Sequence, residues 1–218
     1  MKLKHKKQYQ EHYDLIDKHI DKYFKGAEIH VFHEIPTFDI HLDIYHIKPK
    51  DSDFELLFTA GMSSIAMNVS EIPGDSDFYR FAELIVLIPK GGDFGEIFPS
   101  KTPYDWIISM IKQSAKFPHL YNTWLSIGHT IQSDEEMNTY SDNTDFCGCL
   151  VLPTMSFPED FKTIHTPNGV INIYSLFPMY KEELEYKIEK GFNEFIQFLI
   201  KNNTAEIIDF QRANFCKQ

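Results

Sequence analysis

The chain has 218 residues and a formal net charge of −11, from 21 Lys and Arg against 32 Asp and Glu, with 43% hydrophobic and 15% aromatic residues. This composition excludes a disordered chain, and a chain of this length needs no disulfide or metal to bury an adequate core. The apolar run Leu84 to Ile88 falls far short of the ~18 residues of a membrane span, and a net anion lacks the phosphate-neutralising field of a generic nucleic-acid binder.

Residues 6–25 repeat apolar side chains at Tyr9, Tyr13, Ile16, Ile20 and Phe24, which predicts one amphipathic helix closed by Gly26. That N-terminus has no apolar core of a signal peptide, and Cys147, Cys149 and Cys216 form no CxxC pair; both features point to a reduced, cytoplasmic compartment. Strand-like segments follow near 28–35, 39–48 and 54–61. The segment 81–89 is apolar on both faces apart from Glu83, as expected of a strand in the centre of a sheet. Thr102-Pro103-Tyr104-Asp105 reads as a helix start with Thr102 as N-cap, and Pro118 as the stop. An acidic loop at 133–146 leads to a strand at 147–153, then to a hairpin turning through Thr166-Pro-Asn-Gly169. Residues 180–202 read as helix, with a break at Gly191. The order predicts a single α+β layered domain over 1–218, with a central mixed β-sheet flanked by helices.

Charge is unevenly spread. Residues 1–25 carry seven Lys against four acids, residues 51–96 nine acids against two bases, and residues 117–161 seven acids with no Lys or Arg. The acid-rich stretches serve either solubility or the steering of a basic partner.

The common catalytic and phosphate-binding motifs are missing. Gly91-Gly-Asp-Phe-Gly95 is no phosphate cradle, and Gly61-Met-Ser-Ser-Ile65 lacks the second glycine of a nucleophile elbow. Alternation puts Asp39, His41, Asp43 and Tyr45 on one strand face. A His between carboxylates could serve as a general base or in a metal site, and a polar outer face explains the same pattern. With no HExxH and no second cluster at ligand spacing, no metal or cofactor is expected. Glu83 is either a paired structural anchor or a pKa-shifted acid. His119, Asn122, Trp124, His129 and Thr130 gather in an aperiodic stretch at 117–131 that suits a site or a plug at the end of a sheet.

The run Phe117-Pro-His-Leu-Tyr-Asn122-Thr-Trp124-Leu-Ser-Ile-Gly128-His129-Thr130 resembles the signature of the suppressor of fused domain family. Thr59-Ala-Gly61-Met62-Ser63, Ala82-Glu83-Leu84, Thr166-Pro-Asn-Gly169, Leu176-Phe-Pro178 and Glu182-Glu-Leu-Glu185 follow the order of that family over about 40–200. The resemblance implies an α/β domain that acts by binding protein, without catalysis. The animal member is similar to a two-lobed clamp that holds a peptide as an added strand, whereas this chain resembles single-lobed bacterial relatives, several of them immunity proteins.

By that likeness the partner-binding surface is expected at Phe117, Asn122, Trp124, Gly128, His129 and Thr130, although Gly128 stands where the animal protein has an acid. The same residues also read as folding determinants. The leading expectation is a non-enzymatic immunity protein facing a toxin domain, as monomer or homodimer, with no nucleic acid or membrane partner. The alternatives are a peptide-binding regulatory module acting by strand addition, and an enzyme using His41, Asp43, Glu83 or His129.

Overall fold

The computed structural model describes residues 3–33, 40–69, 76–91, 94 and 102–217. The N-terminal stripe forms α1 (Leu3–Tyr23), and its spacing of four sends Ile16, Ile20 and, just past the helix, Phe24 into one apolar layer. Burial of such side chains contributes roughly 1.5–3 kcal/mol each. Strands β1 (Glu28–Phe32), β2 (Asp43–Lys48), β3 (Phe54–Ala60) and β4 (Phe81–Pro89) pair as an antiparallel meander. Val31, Tyr45, Phe58 and Ile85 stand side by side across it, all facing α1.

Helix α2 (Asp105–Leu120) covers the opposite face. Its Ile107, Met110 and Ile111 pack on Leu57, Leu84, Val86 and their neighbours. Thr102 caps the turn before the helix: its hydroxyl accepts the Tyr104 N–H at 3.4 Å and donates to Asp105 Oδ1 at 3.0 Å, so the helix starts later than expected. Pro118 lies inside the last turn and is not the stop that the sequence predicts, because a proline there forfeits one N–H and the end is closed by others. Tyr121 N–H donates to the Phe117 carbonyl at 3.0 Å and Thr123 N–H to the Pro118 carbonyl at 2.8 Å.

The chain continues through β5 (Thr130–Gln132), β6 (Gly148–Pro153), β7 (Thr163–Thr166), β8 (Gly169–Met179), α3 (Lys181–Lys190) and α4 (Phe192–Lys201), with Gly191 separating the two helices as expected. The mixed sheet of eight strands runs β1-β2-β3-β4-β8-β6-β5, with β7 also on β8. Strand β4 is central, between β3 and a parallel β8. The first half of β8 pairs with β4 and β7, its second half with β6. Helices α3 and α4 close a third apolar cluster on Leu150, Phe177 and Met179. Below them the buried Glu183 takes both terminal nitrogens of Arg212 at 2.5 Å, and that guanidinium also lies over Phe146, Phe177, Tyr180 and Phe215. The result is the expected α+β domain with helices on both faces of the sheet.

Candidate functional site

Between α2 and β5 the chain makes an irregular turn at 121–129. Asn122 adopts φ 49°, and its carbonyl accepts the Asn68 side-chain amide at 3.1 Å. The Trp124 ring lies against Tyr79 and His129, at centroid distances of 5.7 and 4.4 Å. Burial holds the His129 imidazole below its ordinary value, opposed by a hydrogen bond to the Trp124 backbone. Gly128 N–H donates to the Val151 carbonyl and Val151 N–H to the His129 carbonyl, each at 2.8 Å, so the turn zips directly onto β6.

Gly128 has φ +89°, and a β-carbon there would press on the Phe192 ring at 3.3 Å. This backbone and this neighbour both favour glycine at position 128. Trp124, Gly128, His129 and Thr130 form one connected unit at the start of β5. Phe117 and Asn122 lie apart from it at the end of α2, where Phe117 meets Tyr121 at 4.7 Å.

Three residues that sequence reasoning missed are the exposed ones: Leu120 (59%), Tyr121 (70%) and Ile127 (43%). Their signal was present, as apolar side chains that leave the helical period after Pro118. Beside Leu120 a cleft of about 580 Å³ is lined by Ile40, Ile65, Asn68, Lys116 and His119.

Strand β5 was also missed, being three residues long with little alternation. It ends the sheet among the described residues. Ile131 pairs with Cys149, and Ser133 N–H donates to the Cys147 carbonyl at 2.8 Å. Alternation along an antiparallel ladder then turns the backbone groups of Thr130 and Gln132 away from β6, to the open edge. The loop after β5 presents exposed Asp134, Glu135, Glu136, Asp142 and Asp145.

Glu83 lies elsewhere and is 0% exposed. Its two oxygens accept the Thr59 hydroxyl at 2.5 Å, the Gly61 N–H at 3.1 Å, the Ser63 N–H at 2.9 Å and the Ser63 hydroxyl at 2.7 Å. Burial pushes its carboxyl up to about 7, against the pull of those four donors. Gly61, at φ +123°, has no room for a side chain, because a β-carbon would collide with the His41 carbonyl. His12 of α1 and His119 of α2 bond the carbonyls of Ser63 and Met62 at 2.9 and 3.0 Å, so helices from both faces hold the turn that Glu83 anchors. Glu83 is thus both a turn anchor and an acid shifted upward by burial.

Asp39 lies outside the described residues. His41 Nε2 is 3.1 Å from Asp43 Oδ1, and His33 Nδ1, which sequence reasoning missed, is 3.2 Å from Oδ2. The polar outer face expected for this strand is instead roofed by α1: the Tyr13 hydroxyl donates to Asp43 at 3.2 Å and the Tyr45 hydroxyl to Asp17 at 2.5 Å. Alternation identifies a polar face but not which helix lies on it. His129 stands next to β6, separated from β2 by the strands between, roughly 20 Å at the usual strand spacing. Of the four residues considered for catalysis, His41 and Asp43 pair, while Glu83 is enclosed and His129 is remote from them.

Among the described residues no helix is long and apolar enough to cross a membrane. The sequence profile of the suppressor of fused protein family matches residues 39–213. A search of curated proteins returns no significant match. Among solved structures, a suppressor of fused homologue from Neisseria gonorrhoeae FA 1090 superposes with a TM-score of 0.69 at 13% identity, covering 96% of this chain and 99% of that one. A Sufu–Fu complex gives 0.61 at 12% identity, covering 93% and 91%. Drosophila Suppressor of Fused gives 0.51 at 12% identity, covering 92% of this chain and 50% of that one. These likenesses share the fold described above, and the match over residues 39–213 identifies the chain as a member of the suppressor of fused protein family.

Proposed function

We propose that this chain is a non-enzymatic protein-binding domain that takes an extended segment of its partner along the open edge of β5. The observation that carries the reading is the outward backbone of Thr130 and Gln132 at the end of the sheet among the described residues, where an incoming strand would meet donors and acceptors that the ladder to β6 does not use. Exposed Leu120, Tyr121 and Ile127 offer apolar contacts beside the turn that feeds this edge. A similar structure of a Sufu–Fu complex supports a protein partner. The acidic loop that follows β5 favours a basic segment, and a basic toxin domain neutralised by this chain is the partner class that fits, which is the immunity reading.

Gln132→Pro tests the edge, because it removes an N–H that the ladder to β6 does not use and sets a ring where a strand would dock. Partners captured from the native cell by the wild-type chain should be lost by this variant while its circular dichroism stays unchanged. Capture should also weaken with added salt, since exposed charges are screened. An identical set of partners on the proline variant would rule out β5 as the docking edge.

A further inference from the structure

Far from β5, at the opposite side of the sheet, His33, His41 and Asp43 bring three ligating atoms within 4.8 Å of one another. His33 follows the end of β1, His41 precedes β2, and Asp43 opens β2, so the end of one strand and the start of the next converge. We propose that these residues bind one zinc ion, with His33 Nδ1, His41 Nε2 and the Asp43 carboxylate as ligands and water completing the shell.

The donor set selects the metal. Two imidazoles and one carboxylate suit zinc and its first-row neighbours, whereas calcium and magnesium favour all-oxygen shells. A tetrahedral zinc site with bonds near 2.0–2.1 Å holds its ligand atoms about 3.3 Å apart. Each imidazole nitrogen stands near that spacing from its own carboxylate oxygen, His33 Nδ1 at 3.2 Å from Oδ2 and His41 Nε2 at 3.1 Å from Oδ1, so a small turn of the carboxylate brings the set to one ion.

The Asp43 side of the site is already held in place. Asp43 has only 2% of its side chain exposed, and the Tyr13 hydroxyl fixes one of its oxygens. Tyr9 meets the His41 ring edge-on at 5.7 Å and sets its plane. Hydrogen-bonded and packed outer partners of this kind orient ligands before the ion arrives. His33 is 69% exposed, so the ion has a path from solvent. Bound there, zinc would pin the end of β1 to the start of β2 under α1. Its role would be to stabilise this corner, independently of partner capture at β5.

The chelator-stripped chain is titrated with zinc, and with cobalt(II) as a visible probe. Binding should saturate at one ion per chain, raise the melting temperature and give a cobalt spectrum of nitrogen and oxygen ligation. His33→Ala, at an exposed position, should keep the fold and weaken binding by about tenfold or more, and His41→Ala and Asp43→Asn should do the same. His165→Ala, an exposed histidine on β7, should change nothing. If Asp43→Asn unfolds, the two histidine variants decide. No saturable binding, or equal affinity in His33→Ala and wild type, overturns the proposal.

Discussion

Glu83 and Glu183 are both fully buried carboxylates, and the fold satisfies them in different ways. Around Glu83 the partners are two hydroxyl and two backbone N–H contacts from Thr59, Gly61 and Ser63. Around Glu183 the partner is a cation, Arg212, with the Tyr180 and Phe215 N–H groups at 3.1 Å completing the shell. The first arrangement organises a turn and leaves the charge to be carried by dipoles. The second neutralises the charge outright and fastens the C-terminal segment to α3. A dipole shell tolerates a neutral acid, whereas an ion pair depends on both its members.

The sharpest way to break this contrast is Arg212→Met. It leaves Glu183 as an unpaired buried charge and should cost about 3–5 kcal/mol in denaturant unfolding. Adding Glu183→Gln should recover part of that loss. A double variant no more stable than the single would place the role of Arg212 in its packing on Phe146, Phe177, Tyr180 and Phe215 instead.

Glu83→Gln should cost less, about 1–3 kcal/mol, since the amide offers one acceptor to donors that now meet two. Its pH dependence is the more telling result. The Glu83 carboxyl is raised in the fold to about 7, so its contribution is present below the ordinary carboxylate value and is lost as pH rises through 7. The stability gap between wild type and Glu83→Gln should therefore be widest below the ordinary carboxylate value and shrink as pH rises from there through about 7. A gap that widens with pH would mean that the four donors outweigh burial. Smallest of the three, Ser63→Ala removes one hydroxyl and keeps the backbone N–H contact, for a loss of about 1 kcal/mol by thermal melting.

Much of the fold was legible because it rests on local pattern. The α1 stripe, the doubly apolar β4 and the break at Gly191 all follow from spacing and from one residue's freedom. The hairpin at Thr166–Gly169 likewise follows from turn chemistry. The candidate site was less legible because its parts are joined through space. Nothing in the order of residues says that Thr59 and Ser63 meet Glu83, or that His33 turns onto Asp43. Strand β5 is defined by its partner β6 and not by its own alternation, so its edge emerges only once the sheet is assembled. The run 117–130 stood out by composition, and in the structure Trp124 and His129 pack on one another while Leu120 and Tyr121 are exposed.

Strand β8 gives the sheet a timetable. The meander β1 to β4 is built from neighbours in sequence, but the inner edge of β4 waits for residues about 90 positions further along, where Phe81 aligns with Ile171. Until the ribosome has delivered that strand, an apolar β4 presents an unpaired edge, the exposure that makes partly made chains prone to aggregate. The second half of the same strand seats β6, and β6 in turn carries β5. The β5 edge is thus among the last parts of the molecule to form, and it exists only after the core has closed.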